Sequence, residues 1–452
     1  MKTVKFLLLS LLLVAVFGCE NRRNEPVDEV WHIVSDETID LCAADFDCRY
    51  ALFVKGNEVY VGYYDSEHNL KVAKRDSVGE WSYTVTDENV SWDSHKYISL
   101  AVDCEDIVHV SCNMHNDPLV YYHSVSSGDI STIKRDTMTM IFEDSVTYPE
   151  FLYTDDMFVF HYRNGRSGNG STYFNTYDFE SDTWSKLCEE PLFDGLDESN
   201  SYFKGPALGP DGKFHLIWCW RDESDCSTNH GLYYAFSEDL KEWHTPSGYS
   251  KMMPLTPRDD EFLVDNIKVR EGLINGGFAV GFDEESMPVI AYHKYDENDH
   301  TNLYSATFRD GGWTCCRITD WDWKWEFSGR GSIPFDLVVH RTWCEDNRQY
   351  IYISRAIEEG IFRKKSMQDL LICYDESNGT CTETPYSDNP QALNEAENRG
   401  LLVHREYDRG ESAVCDSVKY LLRYETKFPV RDKRQSDRKV LSSSLRLVKI
   451  QK

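Results

Sequence analysis

The chain has 452 residues, and its formal net charge of −29 excludes a general affinity for nucleic acid, which needs a basic surface. The basic residues of 431–452 are a local exception. Because the protein as a whole repels anions, an anionic substrate would have to be held by a local cluster of basic residues. By length alone the chain could form two or three domains, but large all-β barrels and propellers commonly exceed that limit.

Residues 1–19 have the layout of a bacterial lipoprotein signal peptide. Lys2 and Lys5 precede an apolar run over 6–17, which is too short to span a bilayer as a stable helix and ends at Gly18-Cys19. Acylation of Cys19 would make it the mature N-terminus; the alternative is an ordinary signal peptide with an incidental cysteine. With 20–28 as a polar tether, we expect a protein lipid-anchored in the bacterial cell envelope, in the periplasm or at the outer membrane, with no other membrane contact.

The remaining residues, 29–452, form a repeated pattern of short alternating strands and turns rich in Asp, Gly, Asn and Ser. Six copies begin near residues 56, 104, 154, 210, 287 and 347, and a seventh spans about 400–450. We expect an N-terminal strand near 30–34 to complete the last copy, because such closure hides sheet edges. The pattern predicts a single-domain, all-β protein with the architecture of a seven-bladed β-propeller, and we expect it to be a monomer.

Most of the copies end in a turn that closes on a tryptophan. Residues 237–243 and 308–313 resemble degenerate Asp boxes, in which an aspartate caps a tight turn and the closing tryptophan packs between sheets. We therefore interpret these turns as structural.

The fourteen cysteines show no paired CxxC motif, so a structural zinc cage is not indicated. Cys373 and Cys381 flank a turn and would suit a cross-strand bridge. Thiolate and imidazole are the usual zinc ligands, and a structural Zn²⁺ or Ca²⁺ is compatible with the composition, although no motif requires a cofactor. The candidates for a zinc site are Cys219, Cys226, His230 and His293.

Two histidines twenty residues apart, His95 and His115, are the strongest functional signal. Both lie where strands turn, which is where propellers place polar chemistry. Imidazole titrates near neutral pH, so a close pair could exchange protons with a substrate. The alternative is that each is a hydrogen-bonded turn or core histidine.

Several segments together resemble the BNR-repeat family of seven-bladed propellers that includes ulvan lyases and related enzymes acting on glycans of rhamnose and glucuronate. The segments are 93–100, 113–115 with 118–122, 162–165 running into 167–170, 220–222 with 228–230, 272–276 and 292–293. The resemblance implies an acidic polysaccharide or oligosaccharide as the partner. Because the family contains more than one chemistry, it does not by itself name the reaction.

The resemblance implies that paired histidines and a tyrosine act in β-elimination, with a cation that neutralises the uronate. On the matching positions His95 and His115 are the base and the carboxylate-side partner, in an order left open, and Tyr162 is the acid or both acid and base. In the lyase pattern an arginine follows the Ser-Gly-Asn-Gly turn, where this chain has residues 175–177 (Asn-Thr-Tyr).

Other residues are candidates for substrate binding. Arg163, Arg166 or Arg221 could supply the missing cation, although Arg221 could equally form a buried ion pair with Asp222. A polar residue at a strand end can face a central channel, which makes His230, Tyr292 and His293 further candidates.

We expect a polysaccharide lyase that acts on a uronate-containing glycan. The alternatives are an exo-acting α-L-rhamnosidase-like hydrolase and a non-catalytic glycan-binding propeller.

Overall fold

The structure, a computed structural model, describes residues 31–154, 157–359, 364–415, 417–429 and 441–452. Within these ranges the chain is all-β, as predicted, and its helices are single 3₁₀ turns: Ile130–Thr132, Cys226–Thr228, Asp260–Phe262, Gln391–Leu393 and Glu411–Val414. None of the described helices has the length and apolar character needed to span a bilayer. The predicted signal peptide, Cys19 and the tether lie outside the described residues.

The strands form seven antiparallel sheets, and the first three of these are built as follows. After strand β1 (His32–Ala43), sheet 1 contains β2 (Ala51–Lys55), β3 (Glu58–Tyr64), β4 (Asn69–Arg75) and β5 (Trp81–Asn89). Sheet 2 contains β6 (Ser99–Val102), β7 (Val108–Ser111), β9 (Tyr121–His123) and β10 (Lys134–Asp136). Sheet 3 contains β8 (His115–Asp117), β11 (Val146–Thr154), β12 (Met157–Arg166), β13 (Asn169–Asp178) and β14 (Thr183–Lys186).

The other four sheets follow in chain order. Sheet 4 contains β15 (Asn200–Leu208), β16 (Phe214–Arg221), β17 (Asn229–Ser237), β18 (Glu242–His244), β19 (Ser250–Met252) and β20 (Leu263–Asp265). Sheet 5 contains β21 (Phe278–Phe282), β22 (Pro288–Tyr295), β23 (Thr301–Arg309) and β24 (Gly312–Arg317). Sheet 6 contains β25 (Leu337–Glu345), β26 (Arg348–Glu359), β27 (Lys364–Asp375) and β28 (Thr380–Pro385). Sheet 7 contains β29 (Leu402–Tyr407), β30 (Val418–Thr426) and β31 (Ser442–Gln451).

Strand β1 completes sheet 7 by pairing with β31, from His32 opposite Gln451 to Ala43 opposite Ser442. The N-terminal strand predicted near 30–34 is thus confirmed, and it is longer than predicted. Each of the seven sequence copies corresponds to one sheet. Because β1 is the first described strand and β31 the last, their pairing joins the two ends of the described chain.

A recurrent aspartate turn explains why the strands reverse where they do. The carboxylate of Asp65 accepts hydrogen bonds from the backbone N–H groups of residues 67 and 69, and that of Asp103 does the same for residues 105 and 107. The third residue after the aspartate is left-handed, with φ of 68° at His68 and 63° at Asp106. The same arrangement recurs at Asp76, Asp283 and Asp296. The side chain thereby replaces backbone hydrogen bonds that the reversal breaks.

Closing tryptophans pack between neighbouring sheets, as predicted. The ring of Trp184 in sheet 3 lies 6.0 Å from that of Tyr121 in sheet 2, and Trp313 in sheet 5 lies 5.6 Å from Tyr234 in sheet 4. Edge-to-face contacts of this kind add to the stabilisation that comes from burying the rings. Aromatic contacts therefore join sheet 2 to sheet 3 and sheet 4 to sheet 5.

The predicted bridge between Cys373 and Cys381 is wrong. Cys373 lies opposite Thr382 and Cys381 opposite Tyr374, so the two cysteines are one position out of register. Successive side chains of a strand point to opposite faces, which places the two thiols on different sides of the sheet. Both cysteines are free.

The β1–β31 sheet offers a matched test of where the core lies. Leu445 on β31 is fully buried, whereas Leu41 on β1 is 52% exposed. Leu445→Ala is expected to lower the free energy of unfolding by about 2–5 kcal/mol, because it leaves a cavity. Leu41→Ala should change it by no more than about 0.5 kcal/mol, measured by chemical denaturation. Equal effects of the two substitutions would contradict this assignment of the core.

Candidate active site

A cavity of about 1060 Å³ collects polar side chains from several sheets. Its wall includes one histidine from the β5–β6 loop, one from β8, and tyrosine and arginine side chains from β11, β12, β15 and β16. These residues are His95, His115, Tyr148, Arg163, Tyr202 and Arg221. The two histidines that the sequence singled out therefore share one cavity with two tyrosines and with four arginines, of which Arg166 and Arg330 are the other two.

The two histidines are joined by one carboxylate. Asp93 Oδ1 lies 3.0 Å from His95 Nδ1, and Asp93 Oδ2 lies 2.6 Å from His115 Nδ1. The imidazole rings stack with their centroids 4.0 Å apart and an interplanar angle of 22°. Burial raises the pKa of Asp93, but the hydrogen bonds from His115 and His95 outweigh it and hold that pKa well below its usual range. Asp93 is therefore a carboxylate.

Local backbone structure brings these groups together. The Asp93 side chain caps its own turn by accepting a hydrogen bond from the backbone N–H of His95 at 2.9 Å. Strand β8 lies between β7 and β9 of sheet 2 in the chain, but it pairs with β11 of sheet 3. This pairing places His115 opposite Thr147, the residue before Tyr148. The rings of His95 and Tyr148 are 5.8 Å apart.

Tyr148 has a strained backbone. It lies within a β-bulge between Thr147 and Glu150, and its φ is +61°. A left-handed conformation is uncommon for a bulky residue, and such strain concentrates at functional sites. The bulge turns the Tyr148 side chain into the cavity, where its ring lies 6.2 Å from that of Tyr202.

The two tyrosines have different environments. Burial raises the pKa of Tyr148, and the neighbouring Tyr202 raises it further. Burial also acts to raise the pKa of Tyr202, but the positive charges of Arg221 and Arg163 outweigh it and lower that pKa below its ordinary value. The Arg221 guanidinium carbon lies 3.8 Å from the centre of the Tyr202 ring. Tyr148 therefore holds its proton more firmly than Tyr202.

Arg163 is a buried cation without a carboxylate partner among the described residues. It is 4% exposed, and its Nη2 donates to Thr147 Oγ1 at 3.2 Å and to Asn116 Oδ1 at 3.4 Å. Its Nε and Nη1 are buried and have no hydrogen-bond partner within the described chain. A buried charge is costly unless an opposite charge compensates it, so this arrangement favours the binding of an anion.

Arg221 is held by amides rather than by the predicted Asp222. Its Nε donates to Asn229 Oδ1 and its Nη2 to Asn275 Oδ1, each at 2.6 Å. The prediction of an ion pair with Asp222 is wrong, because Asp222 instead contacts His230 Nε2 at 2.8 Å. Among the described residues no carboxylate therefore compensates the positive charge of Arg221, which lines the cavity.

Some candidates from the sequence lie elsewhere. Tyr162 is buried in the core, where its hydroxyl contacts Lys186 Nζ at 2.5 Å and donates to Ile141 O at 3.2 Å. Tyr292 is fully buried and donates to Asp265 at 2.6 Å, and the buried His293 packs against Trp325. Arg166 lines the cavity, but His230 is not among the residues that line it.

The proposed zinc ligands do not form a cluster among the described residues. Cys219 and Cys226 pack in different hydrophobic clusters, and both ring nitrogens of His293 lack a hydrogen-bond partner in the described chain. One group of His, Cys, Asp or Glu side chains in the described ranges is compact enough to share an ion, and it is Asp93, His95 and His115. The hydrogen bonds within this group explain its geometry without a metal.

Sequence reasoning missed Tyr148, Tyr202 and Asp93. Asp93 stands two residues before His95, a spacing typical of an aspartate that caps its own turn, and this signal was available. Tyr148 gives no local signal apart from the proline that follows it, because its exposure to the cavity comes from the bulge.

Residues 58–321, more than half of the chain, match a family described as BNR repeat-containing. The short isoform of ulvan lyase from Alteromonas sp. (strain LOR) is 29% identical over 126 residues, which are 26% of this chain and 24% of that protein. The long isoform from Pseudoalteromonas sp. (strain PLSV) is 30% identical over 157 residues, which are 30% of this chain and 15% of that protein. The chain thus spans a quarter or less of the curated relatives it matches.

Solved structures share the fold over most of the chain. The crystal structure of the polysaccharide lyase Uly1 superposes with a TM-score of 0.59 at 18% identity, covering 89% of this chain and 90% of its own. A PL25 ulvan lyase bound to -[GlcA(1-4)Rha3S]- gives a TM-score of 0.58 at 11% identity, covering 91% and 94%. At these identities the similarity establishes the all-β fold alone.

Replacing the uncompensated cation should stabilise the protein. Arg163→Met removes a buried charge with two unpaired nitrogens, and we expect the free energy of unfolding to rise by roughly 1–3 kcal/mol. Arg423 is the matched control, because it is equally buried but lies 2.9 Å from Glu425. Arg423→Met should lower the free energy of unfolding by about 3–5 kcal/mol, since it leaves a buried carboxylate unpaired. A loss of stability at both positions would show that Arg163 is compensated.

Proposed function

This chain belongs to the BNR repeat-containing family, and on that premise we propose that it is a polysaccharide lyase that cleaves a uronate-containing glycan by β-elimination. One observation carries the proposal: the uncompensated Arg163 guanidinium lines the same cavity as the histidine pair and two tyrosines. The ulvan lyases that match part of the chain support an ulvan-like or rhamnosyl-glucuronate substrate.

The elimination needs three kinds of group, and the cavity contains all of them. A cation neutralises the uronate carboxylate, so that the proton on C5 becomes acidic. A base removes that proton, the C4–O bond breaks with its electron pair going to the glycosidic oxygen, and a C4=C5 double bond forms. An acid then protonates the departing oxygen. The scheme balances atoms and electrons without a cofactor.

We assign the roles from the environments of the side chains. Arg163 neutralises the carboxylate, with Arg221 as a second cation beside it. His115 is the base, because its Nδ1 is bound to Asp93 and its other nitrogen, Nε2, can accept the C5 proton. Tyr148 is the acid, since its raised pKa keeps the hydroxyl protonated until the leaving oxygen develops charge. His95 and Tyr202 complete the wall against which the sugar is held.

We further propose that the seven sheets are the blades of a propeller. Packing of successive sheets and the β1–β31 pairing support this arrangement, as do the solved structures with a similar fold. In a propeller the strands that lead each blade line a central channel, and β11 and β15 would carry Tyr148 and Tyr202 to its mouth. A monomer attached to the bacterial envelope through an acylated Cys19 remains part of the proposal.

The reaction is tested by incubating the protein with ulvan and with a rhamnosyl-glucuronate polysaccharide while following the absorbance of the unsaturated uronyl product. Tyr148→Phe is expected to lower kcat by about 10²–10⁴-fold, because the proton donor is lost. Tyr162→Phe is the matched control: it removes a hydroxyl from outside the cavity and should leave kcat within a factor of about two.

Three results would contradict parts of the proposal. Cleavage that produces no double bond would identify a hydrolase, such as an exo-acting α-L-rhamnosidase. Glycan binding without turnover would identify a binding protein. Loss of activity in Tyr162→Phe but not in Tyr148→Phe would remove Tyr148 from the catalytic groups.

A further inference from the structure

Asp93 serves two imidazoles with one carboxylate. Each of its oxygens contacts a different ring, Oδ1 with His95 Nδ1 at 3.0 Å and Oδ2 with His115 Nδ1 at 2.6 Å. A carboxylate can only accept hydrogen bonds, so each ring nitrogen that faces it carries a proton. Both histidines therefore share the same tautomer when neutral, with the hydrogen on Nδ1.

The geometry excludes a simpler role for Asp93 as the partner of a surface cation. Its side chain is 19% exposed, and no lysine or arginine lies within ion-pair distance of it in the described ranges. The Asp93 carboxylate also accepts a hydrogen bond from the backbone N–H of His95 at 2.9 Å, which fixes the turn that carries that histidine. All of these side-chain contacts therefore act on the histidine pair.

We propose that Asp93 is a positioning residue that fixes the orientation and tautomer of both His95 and His115, turning Nε2 of each ring away from the carboxylate. In His115 this leaves Nε2 as the basic nitrogen for the cavity. A carboxylate that orients a histidine through Nδ1 is a recurrent device, and here one carboxylate does so for a stacked pair. The consequence for catalysis rests on the proposed lyase function, whereas the tautomers do not.

The tautomers can be measured directly. In the full protein labelled with ¹⁵N-histidine, two-bond ¹H–¹⁵N correlations distinguish Nδ1–H from Nε2–H, and His95→Gln and His115→Gln assign the two spin systems. We expect Nδ1–H for both residues at a pH where the rings are neutral. In Asp93→Asn the amide offers only one oxygen as an acceptor, so at least one ring should change to Nε2–H. In Asp93→Glu, which keeps both acceptors, both Nδ1–H forms should persist.

Asp117 provides the matched control. Its carboxylate accepts from the backbone N–H of His115 at 3.1 Å and pairs with Lys96 at 2.9 Å, but it contacts neither ring nitrogen. Asp117→Asn should keep both tautomers. If the protein is a lyase, Asp93→Asn should lower kcat at least tenfold, leave KM within about twofold and shift the pH profile of kcat, whereas Asp117→Asn should change none of these.

The outcomes separate the two proposals. An Nε2–H form at either histidine of the unsubstituted protein would overturn the positioning role, and this measurement does not depend on the stability of Asp93→Asn. Two unchanged Nδ1–H forms in Asp93→Asn would overturn it as well. The expected tautomers in a protein without lyase activity would support the positioning role and contradict the proposed function alone.

Discussion

The pairing of β1 with β31 is the constraint on which the rest of the structure depends. It adds a fourth strand to sheet 7 and covers a sheet edge that would otherwise be open to other chains. Sheet 7 also anchors sheet 1: the Val54 N–H donates to Asp408 Oδ1 at 2.7 Å, and the Tyr424 hydroxyl donates to Cys48 O at 2.9 Å. The beginning and the end of the described chain are thereby held against each other, and the loops that connect the strands are anchored to these paired sheets.

The cavity contains two features that a stable core would avoid. The backbone of Tyr148 is left-handed, and the charge of Arg163 is buried without a carboxylate beside it in the described chain. Each feature costs stability, which the surrounding sheets supply through buried aromatic and aliphatic side chains. A strained backbone and an uncompensated buried charge occur together in one cavity, and such a combination is characteristic of a functional site.

The repeats, the all-β class and the histidine pair were predictable because they depend on local patterns: aspartate turns, alternating strands and histidines at turns. The prediction of Tyr162 as a catalytic residue shows the limit of what such local patterns reveal. Tyr162 and Arg163 are neighbours on β12, so their side chains point to opposite faces, and one lies in the core while the other lines the cavity. The central residues of β12 are buried on both faces, so no alternation of polar and apolar residues reveals which face is which.

The cation expected after the Ser-Gly-Asn-Gly turn shows a second limit. Strand β13 carries Asn175 there, which is fully buried and donates to Glu143 at 2.9 Å. The cation that we propose in its place is Arg163, on the strand before the turn. Tyr148 and Tyr202 come from strands of two different sheets, and only the tertiary structure brings them together. Residues that meet through a bulge and an inter-sheet contact leave no spacing that a sequence reading could detect.

The uncompensated arginines have a kinetic consequence in a protein whose net charge is −29. A polyanionic glycan that approaches from a distance meets mainly repulsion, whereas at contact it meets the buried guanidinium groups of Arg163 and Arg221 in a low-dielectric recess that focuses their field. The screening length at physiological ionic strength is about 8 Å, so salt weakens the long-range repulsion before it weakens the contact. If the substrate is such a glycan, as proposed, encounter should become faster as ionic strength rises, the opposite of the response of a protein that attracts its glycan through a broad basic surface.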